Sequence, residues 1–262
     1  VTGTLTITDA DADDTPAFFA QSNKDGTTKI GNEALGKFDL TVGGAWTYKV
    51  SNTKSAIQAL GSGETLTDTF EAASDDNTKQ VVTITITGIN DAAVISGTPT
   101  GTVTEDANLS GANSNELTAS GKLVVTDVDT GQNVFTEQLS TVGNLGLGVF
   151  TLETDGDWTY TADNSQSAVQ ALGTTSTGVA DTFTAIAVGG TEQIVTVTYE
   201  GVNDAADIGG DLTASVLEDS GTVLTVSGTT GTFLTVSGTL TVTDADASDS
   251  PTFVAQKDTK DT

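Results

Sequence analysis

The chain contains no cysteine, no histidine and no methionine. Without cysteine there is no disulfide framework, and without cysteine and histidine the soft-ligand sites typical of zinc and copper are nearly excluded. The same absences remove the commonest nucleophile–base pairs of covalent catalysis. No nucleophile elbow or phosphate loop takes their place, so the chain is not expected to be an enzyme. Basic residues are scarce: 9 against 36 acidic ones, for a formal net charge of -27. That balance argues against a nucleic-acid partner and against an anionic membrane surface. Aromatic residues make up 5% of the chain, too few for an obvious stacking groove. No apolar run approaches the ~20 residues of a membrane span, and no signal peptide is visible. The first residue is Val1 rather than Met, which reads as an internal piece of something longer.

What is present is Thr, Val, Gly and Asp in short runs of period two. Leu5 and Ile7 alternate with Thr4, Thr6 and Thr8, and Val82, Ile84 and Ile86 alternate with Thr83, Thr85 and Thr87. Such alternation marks half-buried strands with β-branched threonines facing water.

Self-comparison shows a repeat. Residues 3–21 match residues 238–256 at 14 of 19 positions, and a diverged copy, GKLVVTDVDTGQNVFTEQ, starts at Gly121. GAWTYKVSNTKSAIQALG (44–61) recurs as GDWTYTADNSQSAVQALG (156–173), GINDAA (88–93) as GVNDAA (201–206), and TVTEDANLSG (102–111) as SVLEDSGTVL (215–224). One full unit therefore carries a first strand ending in ED (94–106), a Gly/Ser/Asn-rich loop and the GxLxVTDxD stretch (121–129). WTY (158–160), a helical turn (164–173), DTF (181–183) and a last strand (192–200) follow. Gly173 is expected to cap the helical turn in the left-handed conformation. About seven strands in roughly 110 residues predict an all-β chain of tandem Ig-like sandwiches. The expected division is 1–91, a unit without its first strand; 92–204, a complete unit; and 205–262, the start of a third.

Together GxLxVTDxD, WTY, AVQALG, DTF and the GxNDA linker resemble the VCBS repeat of giant bacterial surface adhesins, grouped with repeats-in-toxin adhesins. The likeness covers essentially the whole chain. It implies a cadherin-like extender, secreted to the bacterial surface for attachment and biofilm formation, with calcium stiffening the junctions between units. A different reading is a filament subunit in which incomplete end units pair between copies by strand addition. A third is a carbohydrate-binding module that would use Trp46 and Trp158, although core packing is the plainer role for both.

The acidic residues are read in that light. Asp9, Asp11, Asp13 and Asp14 crowd into six positions, which costs free energy unless something neutralises them. No self-contained EF-hand fits: the loop positions that need Gly and Glu hold Asp14 and Ala20, Gln132 and Gln138, or Asp249 and Ala255. An ion would need ligands from several segments. In an antiparallel seven-strand unit, the DxD loop lies at the entry end and the ED loop at the exit end. The junction between the second and third units should therefore gather Glu105, Asp106, Asn203, Asp204, Asp244 and Asp246. The junction before it should gather Asn90, Asp91, Asp127 and Asp129. Asp9 and Asp11 would donate to an ion shared with a preceding linker, and a poorly occupied site is expected there. Six to eight oxygens suit calcium. Taken singly, these dipeptides are also ordinary turn residues. Asp155, Asp157, Asp68 and Asp181 are secondary candidates, either ligands or turn residues at strand starts, and Asp75–Asp76 reads as a solvated hairpin turn.

Overall fold

The computed structural model describes residues 1–11, 13–25, 29–30, 33–111, 115–176, 178–219, 221–226 and 229–255. Side chains at 23–34 and 222–230 are outside the description, as is the middle of the expected Gly/Ser/Asn loop at 112–114. The described chain is almost entirely β, with helices limited to the single turns Ser55–Gln58 and Ser167–Gln170.

The centre of the chain forms a two-sheet sandwich. Its larger sheet runs in the order Gln138–Val142, Gly148–Leu152, Asp157–Asp163, Glu116–Thr126 and Val94–Gly97, and all its pairs are antiparallel. The smaller sheet is Thr100–Thr104, Glu192–Glu200 and Ala180–Ile186. Alternate residues of both sheets meet in one core, including Leu123, Phe150, Leu152, Trp158, Tyr160, Phe183, Val195 and Val197. This is the Ig-like architecture that the period-two pattern predicts.

One expected element differs. The stretch 94–106 is not a single strand. Val94–Gly97 pairs antiparallel with Leu123–Thr126 in the larger sheet, whereas Thr100–Thr104 pairs parallel with Thr196–Glu200 in the smaller one. The break falls at Gly97, whose φ is +102°, and at Pro99, which has no N–H for a ladder. The first strand thus crosses between sheets, and the unit has eight strands rather than seven.

The first segment repeats much of this plan. Thr2–Thr4, Ala45–Lys49, Lys37–Leu40 and Gln21–Asp25 form one sheet, and Thr65–Ala73 pairs with Lys79–Thr87 in the facing hairpin. Phe38 stacks on Phe70 at 3.8 Å between ring centroids, within a core that includes Phe18, Leu40, Tyr48 and Ile84. In the third segment Asp207–Gly210 pairs with Leu240–Thr243, and Thr222–Val226 with Thr229–Phe233. Among the described residues no helix is long and apolar enough to cross a membrane.

Candidate metal centres at the segment junctions

Two places along the chain bring carboxylates from distant segments together, and they share one backbone plan. At the second junction the Asp246 amide donates to Asp244 Oδ1 (3.0 Å), an Asx turn that closes the DxD stretch. Asp246 Oδ2 then accepts the backbone N–H of the linker residue Asp204 (3.0 Å). Ala247 N donates to Ala171 O just after the helical turn (3.2 Å). The first junction repeats each contact. Asp129 N donates to Asp127 Oδ1 (2.8 Å), Asp91 N to Asp129 Oδ2 (2.9 Å), and Thr130 N to Ala59 O (3.0 Å).

The second junction also receives the ED turn that follows Thr100–Thr104. Glu105 is completely buried. Its Oε2 accepts Val202 N from the linker (3.1 Å), and its Oε1 accepts Gln170 Nε2 from the helical turn (3.1 Å). Asp106, in the left-handed conformation at φ +53°, exchanges hydrogen bonds with Asn164. Burial pushes the Glu105 carboxyl above its usual range; the Val202 N–H opposes this, while Asp204, Asp106 and Asp246 add to it. Burial first, then Asp106, Asp246 and Asp244, push Asp204 the same way. The carboxylates expected at this junction therefore feel one another, and no lysine enters the balance.

Donor accounting separates these sites from ordinary turns. Asp129 is fully buried and Asp246 is 2% exposed, yet Oδ1 of each has no hydrogen-bond partner. Asp127 Oδ2, Asp204 Oδ2 and Gln132 Oε1 are likewise buried and unpartnered. Burying a carboxylate oxygen without a donor or cation is costly, because the charged form loses its hydration. Groups of this kind, all oxygen and all anionic or neutral acceptors, fit a hard divalent cation.

Two linker asparagines are exposed. Asn203 has its amide on the Asp204 carbonyl, and Asn90 makes the same local contact with Asp91 while its Oδ1 faces Gly189 together with Gln132 Oε1. Asp9 and Asp11 form the same Asx turn (2.8 Å), but both are exposed. Asp249 was missed: with Asp244 and Asp246 it makes the one group of three carboxylates within 4.8 Å of one another among the described residues. The DxDxxD spacing, shared by 9–14 and 244–249, was the available signal.

The secondary candidates resolve as structural. Asp181 is buried, but its oxygens accept from Leu145 N, Gly148 N, Thr182 N and the Tyr160 hydroxyl, at 2.8 to 3.2 Å. Asp68 repeats the role in the first segment, accepting from Gly36 N, Thr69 N and Tyr48 OH. Asp155 and Asp157 are exposed and pair with Lys122. The hairpin at Asp75–Asp76 is a turn in which Asp76 Oδ1 accepts Thr78 N. Trp158 is 1% exposed and donates Nε1–H to Thr98 O (2.8 Å); Trp46 is half-buried with its ring edge on Phe70. Neither ring is laid out as a platform for a sugar.

The glycines show how closely the segments approach. Gly173 is not left-handed, contrary to expectation. A side chain there would meet Ser248 Oγ at 3.0 Å and Asp246 Cγ at 3.3 Å, so its role is contact with the following segment. Gly61 holds the same place at the first junction, against Gln132.

No protein-family model matches the chain, and no curated protein matches it. Among solved structures, the human desmocollin-1 ectodomain is similar over 78% of this chain, with a TM-score of 0.29 and 11% sequence identity. The match takes in 36% of that ectodomain, so this chain spans little more than a third of its length.

Proposed function

We propose that the chain is a structural extender: tandem β-sandwiches joined through calcium sites, working outside the cell as part of a bacterial adhesin. Its partners are calcium and neighbouring repeats, and it has no catalytic role. The observation that carries this reading is the pair of buried carboxylate oxygens without donors, Asp129 Oδ1 and Asp246 Oδ1, in register at two junctions. An active site occurs once; a joint recurs with the unit. The resemblance to VCBS repeats supports the extracellular and adhesive setting.

At the second junction Asp244, Asp246, Asp249 and Asp204 would hold the ion, with Glu105 and Asp106 from the central sandwich. At the first, Asp127, Asp129 and Asp91 would do so. Calcium would supply positive charge between segments that otherwise repel, and so favour one mutual orientation. Repeats that touch only their neighbours suit this role, since length is added without changing any unit. The test is thermal melting and small-angle scattering of the chain in calcium and in chelator. Calcium should raise the melting temperature and lengthen the particle; identical profiles in both conditions would defeat the proposal.

A further inference from the structure

We infer that Gln132 and Asp249 occupy one equivalent ligand position at the two junctions, and that this exchange of an amide for a carboxylate sets the two calcium affinities apart. The inference rests on the junction reading above and adds a specificity-determining residue to it.

The equivalence is structural as well as sequential. DVDTGQ (127–132) and DADASD (244–249) place Gln132 and Asp249 five residues after the first Asp. Each residue donates its backbone N–H to the carbonyl of the second Asp, Gln132 to Asp129 O (3.3 Å) and Asp249 to Asp246 O (3.0 Å). The two loops therefore turn back in the same way and return the sixth side chain to the DxD pair. At the second junction this brings three carboxylates within 4.8 Å.

At the first junction the returning group is neutral. Gln132 Nε2 lies 3.4 Å from Asp129 Oδ2, and Gln132 Oε1 is buried with no partner. The amide is held on two sides by glycines. A side chain at Gly61 would meet Nε2 at 2.7 Å, and one at Gly189 would meet Oε1 at 2.2 Å. An uncharged oxygen is thus held at the place where the second junction has a third Asp. The fully buried Asp129, with Oδ1 unpartnered, is a second acceptor in this pocket that lacks a donor.

An amide oxygen coordinates calcium but brings no charge, and calcium affinity in oxygen sites is tuned over decades by ligand charge. The first junction should bind more weakly and load after the second, so that over a range of calcium concentration one joint is stiff and the other loose. Glu105 and Asp106 add charge to the second junction as well, so a difference in affinity alone does not identify Gln132. Reciprocal exchange does.

The test is calcium titration by calorimetry on the full chain, comparing wild type with Gln132→Asp and Asp249→Gln. Two classes of site are expected in the wild type. Gln132→Asp should tighten the weaker class by roughly tenfold and leave the tighter one alone; Asp249→Gln should loosen the tighter class by a similar factor. A cooperative melt in calcium checks that each variant folds, and the two variants probe different junctions, so one failing to fold leaves the other informative. If neither exchange moves an affinity while the wild type binds calcium, this inference falls and the junction reading stands. If the wild type binds no calcium, both fall.

Discussion

Asp181 inside the central sandwich and Asp246 at the second junction are buried alike, yet their oxygens meet opposite surroundings. Asp181 accepts four donors, three backbone N–H groups and the Tyr160 hydroxyl. Asp246 has one donor on Oδ2 and none on Oδ1. Burial alone therefore does not distinguish a structural carboxylate from a ligand. The count of donors does, because a carboxylate out of water needs either hydrogen bonds or a cation.

The largest effect follows from the satisfied carboxylate. Asp181→Ala would orphan the N–H groups of Leu145 and Gly148, which shape the 143–148 turn, and would leave the Tyr160 hydroxyl only its bond to Tyr199. Loss of about 3 kcal/mol is expected, since several bonds to a buried charge disappear together. The drop in melting temperature should be the same in calcium and in chelator. A drop that appears only in calcium would move Asp181 into the metal-binding group.

Asp246→Asn should behave in the opposite way. In chelator it removes charge from a crowded site and should leave the melt unchanged or slightly higher. In calcium it should remove the stabilisation that binding provides, about 2.7 kcal/mol when free calcium is a hundred times the dissociation constant. Equal melting curves for wild type and variant in calcium would show that Asp246 holds no ion.

Glu105→Gln sharpens the contrast with a smaller change. Burial, and after it Asp204, Asp106 and Asp246, push the Glu105 carboxyl upward. A glutamine retains an acceptor for Val202 N and loses the charge, while its NH2 replaces the oxygen that accepts Gln170 Nε2, so the Gln170 amide must turn over. In chelator the variant should gain up to about 1 kcal/mol, within the ordinary range for single substitutions. In calcium it should bind more weakly than wild type. A loss of stability in chelator would show that Glu105 serves the fold before it serves the junction.

Much of this was legible in the sequence, for reasons that differ by residue. The strands around Leu123 and Val195 show in the period-two pattern because each side of a sheet sees one environment. The DxD turns at Asp127 and Asp244 could be read because an Asx turn is local. That Glu105 comes to the linker follows from strand direction; the residue it meets there, Val202, 97 residues away, does not. Three features were not legible. The interruption at Gly97 and Pro99 is visible in residues 94–104, but which sheet each half joins is not, because that depends on distant partners at Leu123–Thr126 and Thr196–Glu200. The role of Asp181 depends on N–H groups 33 and 36 residues away, in a turn that says nothing of its aim. Asp249 shares its DxDxxD spacing with Asp14, but the residue before it differs in every copy, Asp13, Gly131 and Ser248, and that divergence hides the position.

The smallest effect concerns the fit between segments. Gly173 has room for a backbone of ordinary conformation but not for a side chain, which would press on Ser248 Oγ at 3.0 Å and Asp246 Cγ at 3.3 Å. At Gly61 the close neighbour is the far end of a flexible glutamine, Gln132 Nε2 at 2.7 Å, with Glu64 Oε2 at an ordinary 3.8 Å. Gly173→Ala should therefore displace the DxD loop by a few tenths of an ångström, while Gly61→Ala presses on the end of one side chain, the Gln132 amide, and leaves the backbone of its loop in place. The cost of such crowding is about 1 kcal/mol, which reads as a rise of up to roughly fivefold in the calcium concentration needed at the second junction. The melt of the central sandwich in chelator should stay as it was, because Gly173 lies beyond its core. If Gly61→Ala raised the calcium requirement more than Gly173→Ala, the first junction would be the more tightly fitted of the two, and the place of the Gln132 amide would matter more to binding than the place of the DxD loop.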